Sequence, residues 1–91
     1  WVRYRFPEPT ALSEVLLIWS PAAVSQRGYL RGVTAAGEDL ELATYSNTGP
    51  VAESRIFIGD VHLRSITLHQ PAGGGPPDRP NILWLNELEV R

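Results

Sequence analysis

The chain has 91 residues, 43% of them hydrophobic and 20% charged, a formal net charge of −2, and neither cysteine nor methionine. That length suits one small domain, and the composition excludes a disordered chain, a disulfide framework and a thiolate metal site. With a net charge of −2 no basic patch is expected, so a nucleic-acid partner has no electrostatic anchor, and the longest apolar run, Val15–Trp19, falls far short of the roughly 20 residues of a membrane helix; all eight basic residues are arginine.

Trp1–Phe6 (WVRYRF) alternates, with Trp1, Arg3 and Arg5 on one side and Val2, Tyr4 and Phe6 on the other, which predicts a strand. Pro7 and Pro9 are expected to end it, since proline cannot donate to a ladder. Glu14–Trp19 (EVLLIW) is short, apolar and rich in β-formers, and reads as a central strand buried on both faces. Ser20–Arg27 reads as a loop. Gly28–Thr34 and Leu40–Thr44 form a hairpin about the turn Ala35–Asp39. Tyr45–Ala52 is turn chemistry throughout.

Glu53–Ile58 is a short strand, Gly59-Asp60 a hinge and Val61–His69 a longer strand. The apolar set of the longer strand changes phase between Leu63 and Ile66, which predicts a bulge at Arg64-Ser65. Gln70–Pro80 holds three glycines and four prolines and reads as a loop. The closing segment Asn81–Arg91 (NILWLNELEVR) is a strand. Leu85, Leu88 and Val90 can share a face only if one extra residue is inserted near Asn86, a second predicted bulge. The total is seven strands and no helix, the pattern of an antiparallel sandwich or barrel with slow folding. The chain opens on Trp1 without an initiator methionine and already inside a strand pattern, so a fragment of a longer chain is expected.

In their order, WVRYRF, EVLLIW, YLRGVTAAGEDLEL, VHLRSITL and LNELEV resemble the galactose-binding-like jelly roll. Within it the likeness is to the discoidin domains (factor V/VIII type C) and related carbohydrate-binding modules. Val61–Ile66 corresponds to the family's arginine-bearing strand and Leu85–Val90 to its closing strand. The chain departs from the family at the Ala35–Asp39 turn and at Arg5 and Pro7, where an acidic residue and a glycine are usual. The family's first strands and much of its calcium apparatus lie upstream of a residue like Trp1. The resemblance implies an antiparallel jelly-roll β-sandwich, incomplete at its N-terminal side. The implied function is a non-catalytic module that binds glycan through rim loops, without a cofactor and without the segment that usually holds calcium. It also implies an extracellular, cell-surface or virion-surface location. The alternative is a structural or assembly domain of a larger surface, tail or fibre complex, with a neighbouring domain or a second copy covering an open sheet edge.

If strands alternate in direction, the loops Ser20–Arg27, Tyr45–Ala52 and Gln70–Pro80 share one end. They offer Gln26, Arg27, Tyr45, Asn47, His69, Asp78 and Arg79, with Trp84 just beyond as a stacking platform. An aromatic ring with amides, a carboxylate and guanidinia suits a sugar; the same residue types are also what turns require. His62 and His69 lack metal-ligand spacing and read as surface or edge residues. Glu87 and Glu89 share a face, but no nucleophile, base and oxyanion constellation accompanies them. Gly73–Gly75 lacks the lysine of a phosphate loop. Trp1, Trp19 and Trp84 are core candidates. Arg64, inside an apolar strand, is expected to pair with Glu87 on an adjacent closing strand.

Overall fold

The computed structural model describes residues 1–20, 23–47, 51–76, 83 and 85–91. These residues form an all-β, antiparallel fold with no helix among them. Five strands, β1 Val2–Trp19, β2 Arg27–Thr34, β3 Asp39–Ser46, β4 Glu53–His69 and β5 Leu85–Val90, lie in one sheet in the order β3-β2-β4-β1-β5.

Five strands replace the expected seven because β1 and β4 each absorb two. β1 runs straight through Pro7 and Pro9. The register passes from Arg5 opposite Ser65 to Thr10 opposite Leu63, so Phe6–Pro9 face a single residue of β4, Arg64. On the other side β5 pairs only with Val15–Trp19. The prolines therefore sit where no ladder donor is needed, and the missing N–H costs little. β4 likewise continues through Gly59-Asp60. There Ile58, Gly59 and Asp60 stand against Ser13, and Gly59 takes φ +78°, a conformation glycine adopts without a side-chain clash.

These two irregularities divide the pairing of the long strands into two halves. The first half of β1 joins the second half of β4, β2 and β3; the second half of β1 joins the first half of β4 and β5. Bulges of this kind turn the corners of folded sheets. The two halves close over one core of Leu12, Val15, Leu17, Trp19, Val24, Leu30, Tyr45, Ile56, Leu63, Ile66 and Leu68. Trp19 from one half and Tyr45 from the other meet with ring centroids 5.6 Å apart.

Both predicted bulges are present. Ile18 faces Glu87 and Trp19 faces Leu85, which leaves Asn86 as the extra residue, and Leu85, Leu88 and Val90 all pack against the core. Against β2, Val33 faces Ser65 and Thr34 faces Leu63, which leaves Arg64 unpaired. That bulge overturns the expected Arg64–Glu87 pair. It turns Arg64 out to solvent, and β1 lies between β4 and β5. Trp1 is also not in the core; it shares the outward side of Arg3 and is 72% exposed. Trp19 is buried as expected, and Trp84 lies outside the described residues.

Candidate functional site

The loops expected at one end do meet there, over their described parts. The backbone N–H groups of Gln26 and Arg27 both donate to Gly74 O, at 2.8 and 3.1 Å, and Asn47 N donates to Gln26 O at 2.7 Å. Beneath this seam a chain of side-chain hydrogen bonds links four segments. Trp19 Nε1 donates to Ser54 Oγ (2.9 Å), Ser54 Oγ to Asn47 Oδ1 (2.9 Å) and Asn47 Nδ2 to Ser25 O (2.8 Å). The hydroxyls of Ser25 and Tyr45 complete it at 2.6 Å. Burying polar groups is costly unless they are bonded, and each of these has a partner.

The expected rim residues therefore divide. Tyr45 is buried, its ring against Trp19, and burial pushes its phenol pKa up while the Ser25 hydrogen bond acts the other way. Asn47 is half-buried, with both amide atoms engaged. Gln26 Nε2 donates to Val24 O, and Arg27 Nη2 reaches Ala72 O at 3.4 Å. His69 stacks on Tyr29, with ring centroids 4.8 Å apart and planes 8° from parallel. Its pKa is lowered first by burial, then by the N-terminal ammonium, Arg31 and Arg3, with Asp39 opposing. Asp78 and Arg79 lie outside the described residues.

A groove of about 450 Å³ opens beside this network, lined by Thr44, Tyr45, Ser46, Asn47, Ser54, Arg55, Ile56 and Phe57. It forms where the end of β3 approaches the first half of β4, two strands that are not paired in the sheet. Hydroxyls, an amide and a guanidinium line it, and Phe57, 74% exposed, stands on its lip. Arg55 is held there by an ion pair with Glu14, Nε to Oε1 2.7 Å. Of these eight residues the sequence singles out Tyr45 and Asn47, and not Thr44, Ser46, Ser54, Arg55, Ile56 or Phe57. Phe57 carries a readable signal in ESRIFI, because it alternates with Glu53 and Arg55 and so is a large aromatic on the charged side of its strand.

A second groove, of about 360 Å³, is lined by Arg3, Arg5, Phe6, Val33, Arg64 and Ser65. Among the described residues no three His, Asp or Glu side chains form a metal-holding group. Glu87 is exposed, and Glu89 pairs with Arg91 at 3.4 Å. No described helix is long and apolar enough to cross a membrane. Compared with known proteins, the chain matches no family model and no curated protein.

Proposed function

We propose that this chain is a non-catalytic carbohydrate-binding module that seats a sugar ring in the groove between β3 and β4. The observation that carries the reading is Phe57, an exposed aromatic at the edge of a groove otherwise lined by Thr44, Ser46, Asn47, Ser54 and Arg55. A pyranose has an apolar C–H face and a rim of hydroxyls. An aromatic platform beside donors and acceptors matches both, as in ligand sites generally. The buried network from Trp19 to Tyr45 supports the groove from below and holds Asn47 in place, so the site is formed before ligand arrives.

The likeness to a galactose-binding-like jelly roll belongs to the same proposal. Its support is that β1 and β4 each serve both halves of a folded antiparallel sheet, as strands do at the corners of such sandwiches. The test is a glycan array probed with the wild-type chain and with Phe57→Ala. Binding to a defined set of sugars that the variant loses is the expected result. A blank array, or binding that Phe57→Ala leaves unchanged, overturns the assignment.

A second reading, an assembly domain that contacts protein, is favoured by the sheet edges. Among the described residues the outer side of β5 and the outer side of Val2–Leu12 of β1 have no strand partner. Unpaired edges invite strand addition. Size measurement across a hundredfold concentration range tests it: a stable oligomer supports this reading and a monomer throughout counts against self-assembly.

A further inference from the structure

We infer that the groove between Arg3, Arg5 and Arg64 binds the sulfate esters of an anionic polysaccharide; this rests on the glycan reading above and names the substrate class. Arg3 and Arg5 are two residues apart on β1 and face the same way, which sets their Cα atoms roughly 7 Å apart at the strand rise. Arg64 reaches the same groove because the bulge in β4 leaves it out of the ladder. Phe6, Val33 and Ser65 complete the lining, which contains no carboxylate.

Among the described residues the ion pairs are Arg31 with Asp39, Arg55 with Glu14 and Arg91 with Glu89. Arg3, Arg5 and Arg64 take part in none of them. Arg3 spends one donor, Nε, on Thr67 Oγ1 at 3.2 Å. Three guanidinia thus line one groove with none of them in an ion pair among the described residues, in a chain with a net charge of −2. Like charges lining one groove repel, and an anion between them removes the repulsion.

The chemistry selects the anion. A guanidinium presents a planar fork of donors suited to oxyanions. A carboxylate has two oxygens and is satisfied by one fork, whereas a sulfate ester has three terminal oxygens and can meet guanidinia arriving from three directions. The surroundings select the polymer. On the same side of the sheet, register places Arg3 beside Thr67 and Arg31, then His69 beside Tyr29 and Tyr29 beside Thr44. Thr44 lines the sugar groove. One face therefore connects the arginine groove with the sugar groove, and an extended chain of sugars, charged at one stretch, can follow it. A nucleic acid carries charge at every residue and would meet Asp39 and Glu41 along β3 and an overall negative protein.

Isothermal titration of the 91-residue chain with a sulfated oligosaccharide, its desulfated counterpart and a single-stranded oligonucleotide of equal charge tests this. Arg5→Gln and Arg64→Gln, both at exposed positions, are titrated alongside Phe57→Ala, with melting temperatures to confirm folding. The expected result is tenfold or tighter binding of the sulfated chain over the desulfated one, a tenfold loss in each arginine variant and weaker binding of both sugars in Phe57→Ala. Equal affinity for sulfated and desulfated sugar, with a loss only in Phe57→Ala, overturns the sulfate inference and leaves the glycan reading standing. Sulfated binding that needs the arginines but not Phe57 upholds the anion groove and overturns the sugar groove. Oligonucleotide binding as tight as the sulfated sugar, or no binding of the sulfated sugar, overturns the inference.

Discussion

The hydroxyls of Ser25 and Tyr45 meet at 2.6 Å, joining the loop after β1 to the end of β3 inside the core. Tyr45→Phe keeps the ring against Trp19 and deletes this bond, leaving Ser25 Oγ only contacts of 3.5 Å to Arg27 O and Gly74 O. The expected cost is about 1–2 kcal/mol, the range for stranding a buried hydroxyl. For a domain of this size that is a melting-temperature drop of roughly 5–15 °C, checked by thermal denaturation.

Gly28 lies opposite Tyr45 in the β2–β3 ladder, and the Tyr45 ring fills the space where a side chain at 28 would begin. A Cβ there would strike the Tyr45 ring and the His69 carbonyl oxygen, and the latter is backbone that cannot swing aside. Gly28→Ala is expected to destabilise by about 2 kcal/mol or more. Urea denaturation measures it; an unchanged midpoint would mean the strands are not in this register.

The pH dependence has two sides. Burial raises the Tyr45 pKa above its ordinary 10.0, so the unfolded chain gives up this proton first as pH rises. Stability is fully present below about pH 10 and is lost as pH climbs from there through the folded value. Tyr45→Phe removes this alkaline loss. The lowered pKa of His69 acts at the other end: the unfolded chain takes up the proton first, so stability falls as pH drops below about 6.5. His69→Gln flattens the acid side. Denaturation midpoints across pH 4–11 check both.

Arg64→Ala and Phe57→Ala are each expected to change stability by less than about 0.5 kcal/mol, because both side chains are exposed and neither supports the core. Had Arg64 been buried and paired with Glu87, its removal would cost about 3–5 kcal/mol. Chemical denaturation separates these outcomes plainly.

Much of the fold was legible in local pattern. The phase slips around Arg64 and Asn86 could be read as bulges because a strand's side-chain period is two, and any break in it needs an inserted residue. The gathering of the loops followed from strand alternation. What local pattern could not supply was the neighbour of each strand. Pro7 and Pro9 stop a strand only where a partner waits for their N–H, and none does among the described residues. Arg64 pairs with Glu87 only if β5 adjoins β4, and the sheet puts β1 between them. Tyr45 read as a rim aromatic because it is followed by turn residues; its place under the rim depends on Gly28 across the ladder and on Trp19 from the other half of the sheet. The groove is harder still to read, since it lies between β3 and β4, strands brought near one another only by the folding of the sheet.

The most direct test of that groove is amide chemical-shift mapping of the isotope-labelled chain with the sugar that binds best on the array. The largest shifts are expected at Thr44–Asn47 and Ser54–Phe57, fading toward the turn at Ala35–Asp39. Shifts centred elsewhere, or none at saturating sugar, would contradict it.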